Sequence, residues 1–260
     1  MKVSELSQGV IVPLVTPSNI AELLSLIDYV IQGGITQLVV TGTTGEAPRL
    51  SQKQKLNIIA MAAQHIGKRA KLLVGISTPV LGDAIELMAA ASEVGAVASL
   101  VMPLMLGNNG ATTIEALLTA ASGALMLYNN PSLTAGASLS LDQIQPFFSE
   151  PRVFGIKDTS GEFTYLDALL NQRGSNRFKV FYGREQKFLE AVQRPIDGFV
   201  PSSANVGPAL ATQIWEKKAL GPWDEWNALK ETIKNKSPQH IQALKLLLQE
   251  RGLITDASLL

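Results

Sequence analysis

The side chain with the greatest chemical reach is Lys157, the polar end of the run Val153-Phe154-Gly155-Ile156-Lys157, followed at once by Asp158-Thr159-Ser160-Gly161. An apolar run that stops at a lysine and a glycine-containing polar stretch reads as a buried strand delivering its last side chain into a site. Lysines seldom sit there, because burying an ammonium is costly. Such a lysine is either half of a buried ion pair or an amine kept neutral for chemistry. A neutral amine attacks a ketone or aldehyde, and loss of water gives an imine. Once protonated, the imine draws electrons from the neighbouring carbon, so that a C–C bond is formed or broken through an enamine.

That route needs a proton shuttle, and Tyr128 is a phenol able to serve, at the end of another apolar run and followed by Asn129-Asn130-Pro131. The plainer alternative is a tyrosine packed at a rim. In Gly42-Thr43-Thr44-Gly45-Glu46, small residues, two hydroxyls and backbone amides can form an anion nest, with Thr43 and Thr44 holding the carboxylate of a keto acid. It is not a nucleotide phosphate loop, which ends in Gly-Lys-Ser/Thr, and an ordinary glycine-rich turn is the alternative. In Phe181-Tyr182-Gly183-Arg184-Glu185, Gly183 permits close approach of a ligand to the backbone, and Arg184 offers a cation for a second acid. In Pro201-Ser202-Ser203-Ala204-Asn205, Ser203 either binds a polar substrate group or caps the next helix; capping is the favoured reading for both serines.

These residues all lie at the ends of short apolar runs, and the runs have an order. They fall at Gly9–Val15, Ile35–Thr41, Lys71–Ile76, Ala96–Met102, Ala124–Tyr128, Val153–Lys157, Phe178–Tyr182 and Asp197–Val200. Between them come stretches with helical spacing, such as Leu24-Ile27-Ile31, Leu56-Ile59, Ile85-Met88, Ile114-Leu117 and Leu141-Ile144-Phe147. Unbroken rather than alternating apolar runs fit a parallel sheet covered by helices. Eight such units predict an α/β fold, a closed (β/α)₈ TIM barrel over residues 1–220. A doubly wound sheet is the rival, but Pro13-Leu14-Val15-Thr16-Pro17 stands where a Gly-x-Gly-x-x-Gly fingerprint belongs. After Leu220 the alternation stops. Residues 221–260 read as a C-terminal helical extension of the same domain, with Trp223 and Trp226 on one helix and Ile241, Leu244 and Leu248 on the other.

Composition narrows the function classes. The 260 residues are 46% hydrophobic, enough for one large core, and Lys+Arg and Asp+Glu both number 22. A net charge of zero steers the chain towards neither nucleic acid nor an anionic membrane. The absence of cysteine removes disulfides and thiolate chemistry. His65 and His240 lack ligand spacing and read as helix-surface residues, so no metal and no cofactor is expected. With Glu5 and no long apolar run, the N-terminal stretch does not read as a secretory signal, and no apolar segment of about 18 residues is long enough for a bilayer. The cytoplasm is the expected location.

Together Gly42-Thr43-Thr44-Gly45-Glu46, Tyr128-Asn129-Asn130-Pro131, Gly155-Ile156-Lys157-Asp158 and Ser203-Ala204-Asn205-Val206 resemble the dihydrodipicolinate synthase / N-acetylneuraminate lyase family of class I, pyruvate-dependent aldolases. Each motif alone is weak; the ordered set, spanning about Gly9 to Leu253, is specific. The resemblance implies a (β/α)₈ barrel with extra helices, assembled as a homo-oligomer (dimer or tetramer), acting on a small-molecule keto acid and an aldehyde. It makes Lys157 the Schiff-base lysine, Tyr128 the proton-shuttling phenol and Thr43 and Thr44 the pyruvate-carboxylate loop. Gly183 matches the glycine beside the variable substrate pocket. Two departures bear on the substrate. Pro103 is followed by Leu104-Met105-Leu106 where many members carry a tyrosine pair, leaving water or Thr44 to take that part. Leu133 stands where the synthase has the arginine that holds its aldehyde's carboxylate, so dihydrodipicolinate synthesis is not expected. The chain also ends about one helix earlier than is usual for the family. Asp158-Thr159-Ser160 resembles the run in 2-keto-3-deoxy sugar acid aldolases as much as that in sialic acid lyases, and the former is the reading favoured here. A keto-sugar-acid dehydratase using the same imine, and a degenerate barrel with a binding or structural role, are the alternatives.

Overall fold

The computed structural model describes residues 6–260. Its strands are β1 (Gly9–Val10), β2 (Val12–Pro13), β3 (Gln37–Val40), β4 (Lys71–Gly75) and β5 (Ala98–Val101). They continue with β6 (Leu125–Asn129), β7 (Val153–Asp158), β8 (Lys179–Tyr182) and β9 (Gly198–Phe199). All lie in one sheet, in the order β1-β9-β8-β7-β6-β5-β4-β3-β2. From β2 to β9 each strand neighbours its successor in sequence, and the two ends of the order, β1 and β2, are separated only by Ile11. That is the order of a (β/α)₈ barrel; a doubly wound sheet would reverse direction at a switch point. The first apolar run therefore supplies two of the nine strands, one on each side of Ile11. The last run is shorter than expected, because Asp197 uses its carboxylate to accept from the Val180 backbone N–H at 2.9 Å and to pair with Arg173.

The helices are α1 (Ile20–Gln32), α2 (Gln52–Ile66), α3 (Leu81–Glu93), α4 (Pro103–Leu106), α5 (Gly110–Ala120) and α6 (Leu141–Ile144). Then follow α7 (Phe163–Arg173), α8 (Phe188–Ala191), α9 (Pro208–Lys217), α10 (Trp223–Lys236) and α11 (His240–Glu250). Their starts are set locally: Asn19 caps α1, and Ser51 and Gln54 form a reciprocal capping box on α2. The expected helix through Phe147 breaks into α6 and a 3₁₀ turn at Gln145–Phe147, since Pro146 cannot donate to the helical ladder.

The chain forms two compact units. One comprises Leu73–Val200 with residues 6–8, the other Gly9–Leu72 with Pro201–Leu260. In the first, stacked Phe188 and Phe199 and the pair Phe148–Phe178 fill the apolar layer, with ring centroids 3.5 Å and 4.7 Å apart. Here β7 passes so close to β8 that a Cβ on Gly155 would lie 2.0 Å from the Lys179 carbonyl oxygen. In the second unit α10 buries Trp226 and Ile233, and α11 buries Leu244, Leu248 and Lys245. Among the described residues no helix is long and apolar enough to cross a membrane, and no group of three or more histidine and carboxylate side chains is placed to hold a metal.

Candidate active site

Strands β6 and β7 pair in parallel with Tyr128 opposite Lys157 and Asn129 opposite Asp158. Successive side chains of a strand face opposite ways, so the register puts the amine and the phenol on one face and the amide and the carboxylate on the other. Lys157 is 6% exposed and Tyr128 7% exposed, with Lys157 Nζ 4.1 Å from the centre of the phenol ring. The Asn130 side-chain amide donates to Tyr128 Oη at 2.8 Å. A phenol oxygen that accepts in this way keeps its own proton for another partner.

Gly183, next to the end of β8, is packed against the amine's stem. Its N–H donates to the Asp158 carbonyl at 2.7 Å, and a Cβ there would lie 2.8 Å from Lys157 Cε and 2.5 Å from Thr159 Oγ1. Its missing side chain thus makes room for the lysine itself. Gly183→Ala should displace Lys157 and slow borohydride trapping of a carbonyl compound on its amine by about 10²-fold, because small misplacements of a reacting group are costly. An unchanged thermal melt alongside that loss would separate displacement from unfolding; a wild-type trapping rate would contradict the packing argument.

On the opposite face, Asp158 is fully buried and accepts from Asn129 Nδ2 at 2.9 Å, Ser160 Oγ at 2.9 Å and the Ser160 N–H at 3.2 Å. Asn129 Oδ1 in turn accepts from the Leu139 N–H at 3.0 Å and from Ser138 Oγ at 3.3 Å. This network ties together the ends of the two strands that carry Tyr128 and Lys157. Desolvation pushes the Asp158 carboxyl above its ordinary range, outweighing the hydrogen bonds that favour its charge. Burial, and then the charge of Asp158, push the phenols of Tyr165 and Tyr182 up, and neither buried hydroxyl has a hydrogen-bond partner among the described residues. A carboxyl whose folded value is raised binds its proton more tightly in the folded state. Its favourable contribution is complete below the unfolded value of about 3.9 and is lost as pH rises through the folded value. The stability of the wild type relative to Asp158→Asn should therefore increase as pH is lowered through that window. Urea midpoints of both proteins across acid pH measure it, and a difference that is flat or falls on acidification would contradict it.

Arg184 is exposed on the way out of β8. The other candidates belong to the second unit. Thr43 and Thr44 are half-buried in a tight loop whose Gly45, Glu46 and Ala47 amides donate to the Gly42 and Thr43 carbonyls. Those three amides are therefore occupied within the turn, and an anion would rely on Thr43 and Thr44. Thr16 Oγ1 donates to the Gly45 carbonyl at 2.8 Å and fixes the loop against the chain after β2. Ser203 is buried within a 3₁₀ turn, Ser202–Asn205. The serines do not cap the next helix: α9 starts at Pro208 with Gly207 in the capping place and no side-chain cap. Asn205 holds the turn to the first run, donating to the Pro13 carbonyl at 2.8 Å and accepting from the Val15 N–H at 3.0 Å.

Leu104, Met105 and Leu106 are half-buried on α4, and Leu133 is exposed at the end of a 3₁₀ turn, Pro131–Leu133. Two features escaped the reading of motifs. One is the Asn129–Asp158 bond, signalled by strand alternation one residue beyond Tyr128 and Lys157. The other is Lys245, which falls at helical spacing among Ile241, Leu244 and Leu248 and is fully buried against Glu46.

Comparison with known proteins gives a consistent result. Residues 6–257 match the dihydrodipicolinate synthetase family. The 4-hydroxy-tetrahydrodipicolinate synthase of Herminiimonas arsenicoxydans is 31% identical over 220 residues, covering 80% of this chain and 74% of that protein. The structure of dihydrodipicolinate synthase from Bacteroides thetaiotaomicron superposes with a TM-score of 0.86 at 27% identity, covering 96% of this chain and 91% of that one. The chloride-inhibited dihydrodipicolinate synthase of Acinetobacter baumannii, complexed with pyruvate, gives 0.83 at 27% identity, with 98% and 92% covered.

Proposed function

The chain belongs to the dihydrodipicolinate synthetase family, and from that premise we propose that it is a Schiff-base-forming lyase that makes or breaks a C–C bond between pyruvate and an aldehyde. The observation that carries this reading is the buried amine of Lys157 lying over the phenol of Tyr128. The amine adds to the keto carbon, Tyr128 gives a proton to the departing hydroxyl, and water leaves to form the protonated imine. Loss of a methyl proton gives the enamine, whose carbon attacks the aldehyde while the aldehyde oxygen takes up a proton. Water then returns to the imine, freeing the product and the amine; cleavage runs the same steps backwards. Thr43 and Thr44 bind the keto acid's carboxylate, and Thr44 takes the part of the absent tyrosine. The pyruvate held by the Acinetobacter baumannii relative supports the choice of keto acid.

The aldehyde is the open half of the reaction. Leu104, Met105, Leu106 and Leu133 offer no cation for a second carboxylate, which favours an uncharged aldehyde, and the product is then a 2-keto-3-deoxy sugar acid. Arg184, Gly183 and Ser203 are the remaining substrate-binding candidates. We place the enzyme in the cytoplasm as a homo-oligomer, dimer or tetramer. A panel of sugar-derived, apolar and carboxylate-bearing aldehydes, each incubated with pyruvate and followed by product mass, tests the assignment. Turnover of an uncharged aldehyde is expected; turnover confined to aspartate semialdehyde would overturn the substrate assignment.

A further inference from the structure

The second unit contains a lysine that the proposed chemistry does not use. Lys245 on α11 is 0% exposed, and its Nζ lies 2.5 Å from Glu46 Oε1, itself buried. Glu46 is the last residue of Gly42-Thr43-Thr44-Gly45-Glu46, and with φ at +55° it adopts a left-handed conformation that a side chain other than glycine rarely takes. Such a conformation persists only where its surroundings over-determine it. A buried ion pair adds little net stability, because desolvating both charges offsets their attraction, but it does hold one geometry.

The segment that follows α11 completes the hold. Lys245 Nζ also donates to the Ser258 carbonyl at 2.9 Å, the Leu260 N–H donates to Glu46 Oε2 at 3.0 Å, and Arg49 Nη1 donates to the Leu260 carbonyl at 2.8 Å. Both carboxylate oxygens of Glu46 are thereby engaged from α11 and from the strap 258–260. Thr16 fixes the same loop through the Gly45 carbonyl. Thr43 and Leu259 line one cavity of about 360 Å³, with Arg49 and His240 on its wall.

We infer that the Glu46–Lys245 pair, with the strap 258–260, is a positioning device that sets the conformation of the Thr43–Thr44 loop. Lys245 is a positioning residue and not a second nucleophile. The consequence for catalysis rests on the reading that Thr43 and Thr44 bind the carboxylate of the keto acid. Breaking the pair then weakens keto-acid binding and leaves the chemistry at Lys157 intact.

The test compares the wild type, Lys245→Met and the neutral double variant Glu46→Gln/Lys245→Met by two readouts. In borohydride trapping against pyruvate concentration, both variants should need about tenfold more pyruvate for half-saturation, as expected when a charge-assisted contact is loosened. Their maximal trapping rate should stay near that of the wild type. In hydrogen exchange, the amides of Gly45, Glu46 and Ala47 should exchange faster in both variants, while β6–β8 stay protected. The double variant, which leaves no buried charge unpaired, should recover most of the melting temperature and still bind pyruvate weakly; it replaces Lys245→Met if that chain does not fold. Variants that match the wild type in half-saturation and loop exchange would overturn the inference and leave the Schiff-base reading standing. If the wild type itself traps no pyruvate, that reading fails, and loop exchange alone decides whether the pair holds the loop.

Discussion

Lys157→Ala is expected to trap no pyruvate and to lose catalysis by about a thousandfold or more, while keeping the wild-type circular dichroism spectrum. The variant removes the amine proposed to carry the imine, whereas most of the side chain's packing, against Gly183 and the face of Tyr128, can be made up by water or small shifts. Tyr128→Phe keeps the ring under the amine and removes only the hydroxyl. It should still form the adduct, slowed by about 10²–10⁴-fold, the range of a lost acid–base group. Quenched-flow trapping of both variants tests this ordering. Equal rates for Tyr128→Phe and the wild type would take the shuttle role away from Tyr128.

The largest effect on stability is expected at Gly155. A methyl group there meets the Lys179 backbone oxygen at 2.0 Å, with the Lys179 carbonyl carbon at 2.7 Å and nitrogen at 2.8 Å. No rotamer relieves a clash with backbone on that scale, so β7 and β8 must separate where Gly155 pairs with Lys179. Gly155→Ala should cost about 3 kcal/mol or more, or about 10 °C in Tm, at the upper end of overpacking effects. Thermal melts measure it, with the soluble yield as a second readout if the chain does not accumulate. A melt within a few degrees of the wild type would mean that the two strands yield more easily than their packing suggests.

The residues that carry the fold were legible because each obeys a local rule. Unbroken apolar runs marked the buried strands, and Tyr128 and Lys157 stand one residue before the ends of β6 and β7. The register that sets Tyr128 opposite Lys157 is seen only in the structure, where the pairing of β6 with β7 shifts between Leu125 and Met126. Ile11 and Asp197 trimmed the expected strands for tertiary reasons: the first run divides between the two ends of the strand order, and the Asp197 carboxylate is drawn into a bond with the Val180 amide. Pro146 could have warned that the helix after Leu141 would be short. The packing of Gly183 against the stem of Lys157 was not legible, since a sequence does not say what lies beside a gap. Glu46 and Lys245 are about two hundred positions apart. Read singly, one looks like a loop acid and the other like a surface lysine on an amphipathic helix. Only folding shows that each is buried because of the other.

The central claim is that Lys157 is the amine that condenses with a keto acid. It is tested most directly by incubating the wild-type protein with pyruvate, reducing with borohydride, digesting, and locating the added mass by tandem mass spectrometry. The account predicts one reduced pyruvate per chain, on the peptide containing Lys157 and on that residue. No adduct, or an adduct on Lys245 or a surface lysine with Lys157 unmodified, would contradict it.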